Sequence, residues 1–337
     1  AEYSVAFLQS GPLVDEVRDL GYRADTFSVG RLRQPLRYAK AIVELRKWFR
    51  EIEARTVLSW AAKGHFYASP AAATLGLPSS WFVHSLPEGS WMDRAVTALP
   101  ADLVLCCGRT AERAQSQIFP RRQTRVVPIS VDLDDFDPDR LPLPVLARKQ
   151  LGLATNGALI VMVARLQRWK GVHVFIDSIS QVIATDSDAK FVVVGGDHWD
   201  EPGYPAELRS QVAKLGIGRN VEFAGLQNNV ALWMHAADIV VHASFDEPAG
   251  AVIIEGMALG KAVIAARSGG PMEFVEEGVS GLLVDSGDVD GLARAICRLI
   301  QNPDERARLG AEARKRSQDF SALRFAENVA SAMLNIA

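Results

Sequence analysis

The chain has 337 residues, 48% of them hydrophobic and 23% charged, a composition ordinary for a soluble globular protein and a length suited to two α/β domains of about 150 residues each. A formal net charge of -3 gives no global attraction to nucleic acid or anionic lipid, so any anion site must be built locally. The cysteines Cys106, Cys107 and Cys297 are odd in number and fit no metal-ligand spacing, which excludes a disulfide framework and suggests a reducing compartment.

In chain order, apolar runs predict strands at residues 5–8, 56–60, 81–83, 103–106 and 125–128. Between the first two lies a basic stretch from Arg31 to Arg50, with seven cations against the single acid Glu44. It reads either as a solvated helix face or as a helix in peripheral contact with an anionic membrane. Residues 129–144 turn acidic and proline-rich, as an interdomain linker does. The Asp132 to Asp139 cluster within it is expected to be solvated turn residues, and no metal is assigned. From there β-branched runs at 159–163, 191–194, 221–223, 239–242, 262–265 and 282–284 alternate with helix-length stretches, including 172–184 and 230–236. Runs without polar alternation suit strands buried on both faces of a parallel sheet. The last segment, 321–337, is an amphipathic helix expected to pack back across the first domain. No run approaches the roughly 20 apolar residues of a bilayer span and no secretory signal opens the chain, so the reading is cytoplasmic.

Open α/β sheets bind ligands beyond the carboxyl ends of their strands, and polar residues there are the candidates. After the strand at 239–242 comes a loop with Glu247, then a helix beginning near Gly250 and carrying Glu255. Ala249, Gly250 and Ala251 would offer backbone N–H groups at a helix N-terminus, where small residues admit a bulky anion. On these residues alone, the two carboxylates read equally well as solvated groups favoured by the helix dipole. After the strand at 159–163, Arg165 and Lys170 could hold a diphosphate, though a cationic surface loop with Arg168 is the simpler alternative. Gly195 and Gly196 end one strand, and Gly225 closes the segment VEFAGL. In the first half, His84 follows a strand directly, where a structural histidine is the commoner case. His65 also follows one and could face an acceptor.

The segment EPAGAVIIE, with the continuation from Met257 to Gly260 and Ser268-Gly269-Gly270-Pro271 before Glu273, resembles the E-x7-E signature of the retaining GT-B glycosyltransferases of family 4. The resemblance implies two facing Rossmann-like domains with parallel sheets, divided as 1–135, completed by helix 321–337, and 136–320. It implies a nucleotide diphosphate-sugar donor and an acceptor hydroxyl on a glycan, glycolipid or small metabolite. Glu247 would contact the transferred sugar and Glu255 the ribose. Arg165 and Lys170-Gly171 match the family's cations, Gly195 and Gly225 its nucleotide-lining turns, and His84 its histidine pointing at the donor sugar. No cofactor or metal is expected beyond the donor itself, and no nucleic-acid partner.

Two departures stand out. The family's opening strand and Gly-rich loop have no counterpart in the sequence as given, whose start looks like the family's second strand–helix unit. Ile129-Ser130 replaces the family's Asn-Gly ahead of Val131-Asp132. A GT-B phosphorylase, a nucleotide-sugar epimerase and a non-catalytic nucleotide-sugar-binding subunit remain open alternatives at this point.

Overall fold

The computed structural model describes residues 3–30 and 34–336. The chain divides into two compact units, residues 1–127 with 327–337 and residues 128–326.

The first unit holds β1 (Ser4–Phe7), β2 (Arg23–Thr26), β3 (Val57–Trp60), β4 (Ser79–Val83), β5 (Leu103–Cys106) and β6 (Thr124–Val126). β1 and β2 form a parallel pair, and β3-β4-β5-β6 a parallel sheet in that order. The sequence reading contains no β2, because RADT buries only Ala24 and offers no apolar run. β4 begins two residues before its predicted start, on buried Ser79 and Ser80. The basic stretch forms the helix Pro35–Glu51, while Arg31 to Arg33 lie outside the described residues. Ala41, Leu45, Trp48 and Phe49 of that helix are buried, at the 3- and 4-residue spacing of one helical face. Its outer stripe of Leu36, Lys40, Val43, Lys47 and Arg50 is exposed.

The second unit carries β7 (Leu159–Val163), β8 (Lys190–Val194), β9 (Val221–Gly225), β10 (Ile239–His242), β11 (Ala262–Ala266) and β12 (Leu282–Val284) in one parallel sheet. Its order is β12-β11-β10-β7-β8-β9. The four inner strands β11, β10, β7 and β8 are buried on both faces because helices cover both; Ile160, Val161, Val192, Val240 and Ile264 have essentially no exposure. Helices Val172–Thr185 and Val289–Gln301 pack together over one face, adding Phe175, Ile176, Ile179, Leu292 and Ile296 to the core. Each such side chain contributes about 1.5–3 kcal/mol through burial.

Topology decides where a ligand can enter. The chain runs outward from β7 through β8 to β9, then returns to place β10 on β7's other side. Adjacent strands whose connections leave in opposite directions form a crevice at their carboxyl ends. The loops leaving β7 and β10 carry the Arg165–Lys170 and Glu247–Glu255 segments.

The acidic linker is more ordered than solvated turns would be. Asp137 and Asp139 accept from Arg314 Nη2 at 3.0 and 2.8 Å, and Arg140 pairs with Asp134 at 2.9 Å. Val131 bridges to Ser321. The partner cation lies some 175 residues away in sequence, beyond anything local composition reports. Among the described residues no helix is long and apolar enough to cross a membrane.

Candidate functional site

The segment after β7 is held rigidly. Leu166 N donates to Gly196 O at 3.0 Å and Phe245 N to Trp169 O at 2.8 Å, tying this loop to the ends of β8 and β10. Gly171 adopts φ +72° to start the helix Val172–Thr185, and a Cβ there would lie 2.0 Å from Ala243 O. Only glycine permits so close an approach at that φ. Lys170 therefore sits beside the β10 loop. Its Nζ also lies 3.9 Å from the centre of the Trp169 ring, a favourable cation–π position.

The two other cations differ sharply. Arg168 pairs with Glu201 and Glu207 and lies over the Tyr204 ring at 5.0 Å, so its charge is committed away from the crevice. Arg165 is exposed, and its guanidinium Nη1 lies 3.5 Å from His198 Nε2. His198 Nδ1 in turn meets Gln167 Nε2 at 3.1 Å.

Glu247 is the centre of the arrangement. It is 5% exposed, which removes the reading of a solvated carboxylate. Its Oε2 accepts from Lys170 Nζ at 2.6 Å and lies 3.1 Å from His242 Nε2. Burial alone would raise its pKa, but the His242 hydrogen bond and the Lys170 charge outweigh it and hold the carboxyl down at about 2. Burial also lowers the Lys170 pKa, against the opposing pull of Glu247. The pair is stable as carboxylate and ammonium because each lies against the other.

Past Glu247, Gly250 at φ +94° caps the helix Ala251–Ala258. Among the described residues no partner is found for the N–H groups of Ala251 and Val252, the first orphan donors of that helix. Leu259 is the C-cap of the helix, with Gly260 at φ +67° as the left-handed terminator its position in the sequence implies. Glu255, on the helix, has no side-chain partner among the described residues, and burial pushes its carboxyl up to about 7. Two carboxylates eight positions apart thus have opposite tendencies, one held charged and one poised near neutrality.

Gly195 joins the same edge. A Cβ on it would lie 1.9 Å from Ala164 O and 3.4 Å from Arg165 N. Its N–H donates to Gly225 O at 2.9 Å, and Gly225 ends β9 at φ +69° with open space around it. The second unit therefore brings together Arg165, Lys170, Gly195, Gly225, Glu247, Ala249, Gly250, Ala251 and Glu255 at the carboxyl end of one sheet. His84 belongs to the first unit, exposed directly after β4, its ring 6.4 Å from that of Trp60. His65 does not face an acceptor as the sequence allowed: it is 1% exposed, stacks on Trp81 at 4.9 Å and meets Ser59 Oγ at 2.9 Å. Burial lowers its pKa to about 4, so it is a neutral core group.

Three supporting features have roles that a sequence reading does not supply. His242 ends β10, and a polar residue closing the run IVVH was the available signal. Ser244 Oγ lies 3.1 Å from His242 Nε2. Gly269 and Gly270 clasp the Glu247 loop: Gly270 N donates to Glu247 O at 2.8 Å, and Cβ atoms there would fall 2.0 Å from Glu247 O and 2.3 Å from Ala249 O. No group of three or more His, Cys, Asp or Glu among the described residues is arranged to hold a metal ion.

Similar proteins share this architecture. Anabaena Alr3699/HepE, solved in complex with UDP-glucose, is 26% identical with a TM-score of 0.86, over 98% of this chain and 91% of that one. A glycosyltransferase of Rickettsia africae, 19% identical with a TM-score of 0.85 over 98% and 89%, shares the fold. The D-inositol 3-phosphate glycosyltransferase of Frankia alni is 34% identical over 210 residues, 56% of this chain and 52% of that protein. The chain spans about half the length of the curated relatives it matches. A model of the family "Glycosyl transferases group 1" matches residues 146–316, a stretch that takes in the whole six-stranded sheet and both loops of its crevice. With a GT-B α/β architecture and that match, the chain belongs to the glycosyl transferases group 1.

Proposed function

We propose that this chain transfers a sugar from a nucleotide diphosphate-sugar to an acceptor hydroxyl with retention of anomeric configuration. The observation that carries the reading is Glu247, a buried carboxylate kept charged by Lys170 at 2.6 Å directly before a helix N-terminus with free N–H groups. A carboxylate there accepts from neutral sugar hydroxyls, while the helix end and the two cations Arg165 and Lys170 take the negative diphosphate. Glu255 accepts from the ribose, Gly195 and Gly225 leave room for the nucleotide, and His84 serves the sugar from the first domain. In the reaction the bond from C1 to the phosphate oxygen breaks as the acceptor oxygen bonds C1 on the same face. The acceptor's proton passes to the departing phosphate. Positive charge aimed at that phosphate lowers the barrier, and with Arg165 and Lys170 supplying it the reaction requires no metal.

UDP-glucose is the first donor to test, because it occupies the related Anabaena protein. D-Inositol 3-phosphate joins the acceptors because several relatives carry its name. A thermal-shift panel of UDP-, GDP-, ADP- and TDP-sugars in EDTA should give one clear responder. At a hundred times Kd the donor adds about 2.7 kcal/mol of stability. No shift with any nucleotide sinks the reading; a shift only with added divalent metal removes its metal-free form. The anomeric proton coupling of the product, read by NMR, decides retention.

For the acceptor side we place a peripheral contact with anionic lipid on the exposed stripe Leu36, Lys40, Val43, Lys47 and Arg50, where cations and apolar side chains alternate along one helical face. Binding to phosphatidylglycerol vesicles, lost in high salt and in K40E/K47E, is the expected result; equal pelleting of that variant removes the contact.

A further inference from the structure

The two oxygens of Glu247 are treated differently by the fold. Oε2 is engaged by Lys170 Nζ at 2.6 Å and His242 Nε2 at 3.1 Å. Oε1 accepts from no described residue and is not sealed from solvent. The lysine is a flexible point charge that would follow the carboxylate through a range of rotations. The imidazole is not. It ends β10, is 5% exposed and is fixed by the sheet on which it stands.

Its proton can be placed by counting partners. Nδ1 is buried with no hydrogen-bond partner. A proton there would leave an unsatisfied donor in the interior and turn a bare Nε2 lone pair toward a carboxylate, both unfavourable. The ring therefore carries its proton on Nε2 and donates toward Glu247 Oε2, with Ser244 Oγ also 3.1 Å from the same nitrogen. The space beside this contact is kept by Gly250, where a Cβ would stand 3.3 Å from Glu247 Cγ and 3.7 Å from His242 Nε2.

We propose that His242 is the positioning residue of this site: its Nε2–H fixes the rotation of the Glu247 carboxylate so that Oε1 alone faces the transferred sugar. The inference rests on the donor reading given above and deepens it. Neither nitrogen of His242 touches substrate, and its effect passes entirely through Glu247.

Two amide substitutions separate this role from mere packing. In His242→Gln the side-chain amide nitrogen falls where imidazole Nε2 stands, whereas in His242→Asn it falls near the position of Nδ1. His242→Leu and His242→Asn are expected to lower UDP-glucose turnover by about 10- to 100-fold, the scale of a small misplacement at a reacting centre, with UDP Kd changed less than about twofold. His242→Gln should recover most of that loss. Equal impairment of the Gln and Leu variants, or UDP affinity falling in step with turnover, would overturn the proposal. A second measurement needs no donor. Long-range ¹H–¹⁵N spectra of the imidazoles should show the Nε2–H form for His242, and an Nδ1–H form overturns the proposal by itself. A wild-type chain that binds no nucleotide would sink the donor reading, while the spectra still decide the His242–Glu247 bond.

Discussion

Glu247→Gln is expected to lower sugar transfer by about 10²–10³-fold, as loss of one preorganised group at a reacting centre does, while UDP affinity holds or tightens. The second half of that expectation is the discriminating one. Lys170 Nζ directs part of its charge to Glu247 Oε2 at 2.6 Å, and a neutral glutamine returns that charge to the incoming diphosphate. Isothermal titration with UDP, beside turnover of the donor selected by the nucleotide panel, measures both. If UDP binding and transfer fall together, Glu247 serves the nucleotide and not the sugar.

Lys170→Met carries the second large effect, and it is visible without substrate. Both side chains of the pair are largely buried, 17% and 7% exposed, so removing the cation strands a carboxylate in the interior. Breaking a buried pair in this way costs about 3–5 kcal/mol, read by urea unfolding at neutral pH. Adding Glu247→Gln to Lys170→Met should recover most of that stability, because no buried charge is then left alone. It should not recover UDP binding, which needs the cation. Additive losses in the double variant, with coupling below about 0.5 kcal/mol, would mean that the two charges do not depend on each other. The wild-type contribution also has a definite pH window. The folded pKa of Glu247, about 2, lies below its ordinary value of 4.5. The stabilisation is therefore fully present above about pH 4.5 and is lost as pH falls toward 2.

The second unit was largely legible from sequence because its strands are continuous apolar runs and its turns are marked by glycine. The first unit was less so. β2 is written RADT and buries a single alanine, and β4 begins on two serines that the interior nonetheless encloses. Where a strand's partners provide the apolar surroundings, its own residues need not advertise it. His65 shows the converse. Its place after a strand suggested a group that could face an acceptor, but it is stacked on Trp81 in the core.

The sequence by itself determined the E-x7-E loop and helix, the glycine that ends that helix, and the cations placed after the first strand of the second sheet. All of these are local, set by backbone propensity and by which positions follow an apolar run. Only the tertiary structure decided that β10 returns to β7's free side, which brings Lys170 to a carboxylate 77 positions away. It also decided which cation was available: Arg168 is drawn off by Glu201 and Glu207, and Lys170 is not. The asymmetric support of Glu247, with His242 beneath one oxygen and no described partner on the other, belongs to the same class. Periodicity reports the face on which a residue lies, whereas a carboxylate's charge state and rotation depend on groups brought to it by the crossing of distant chain segments.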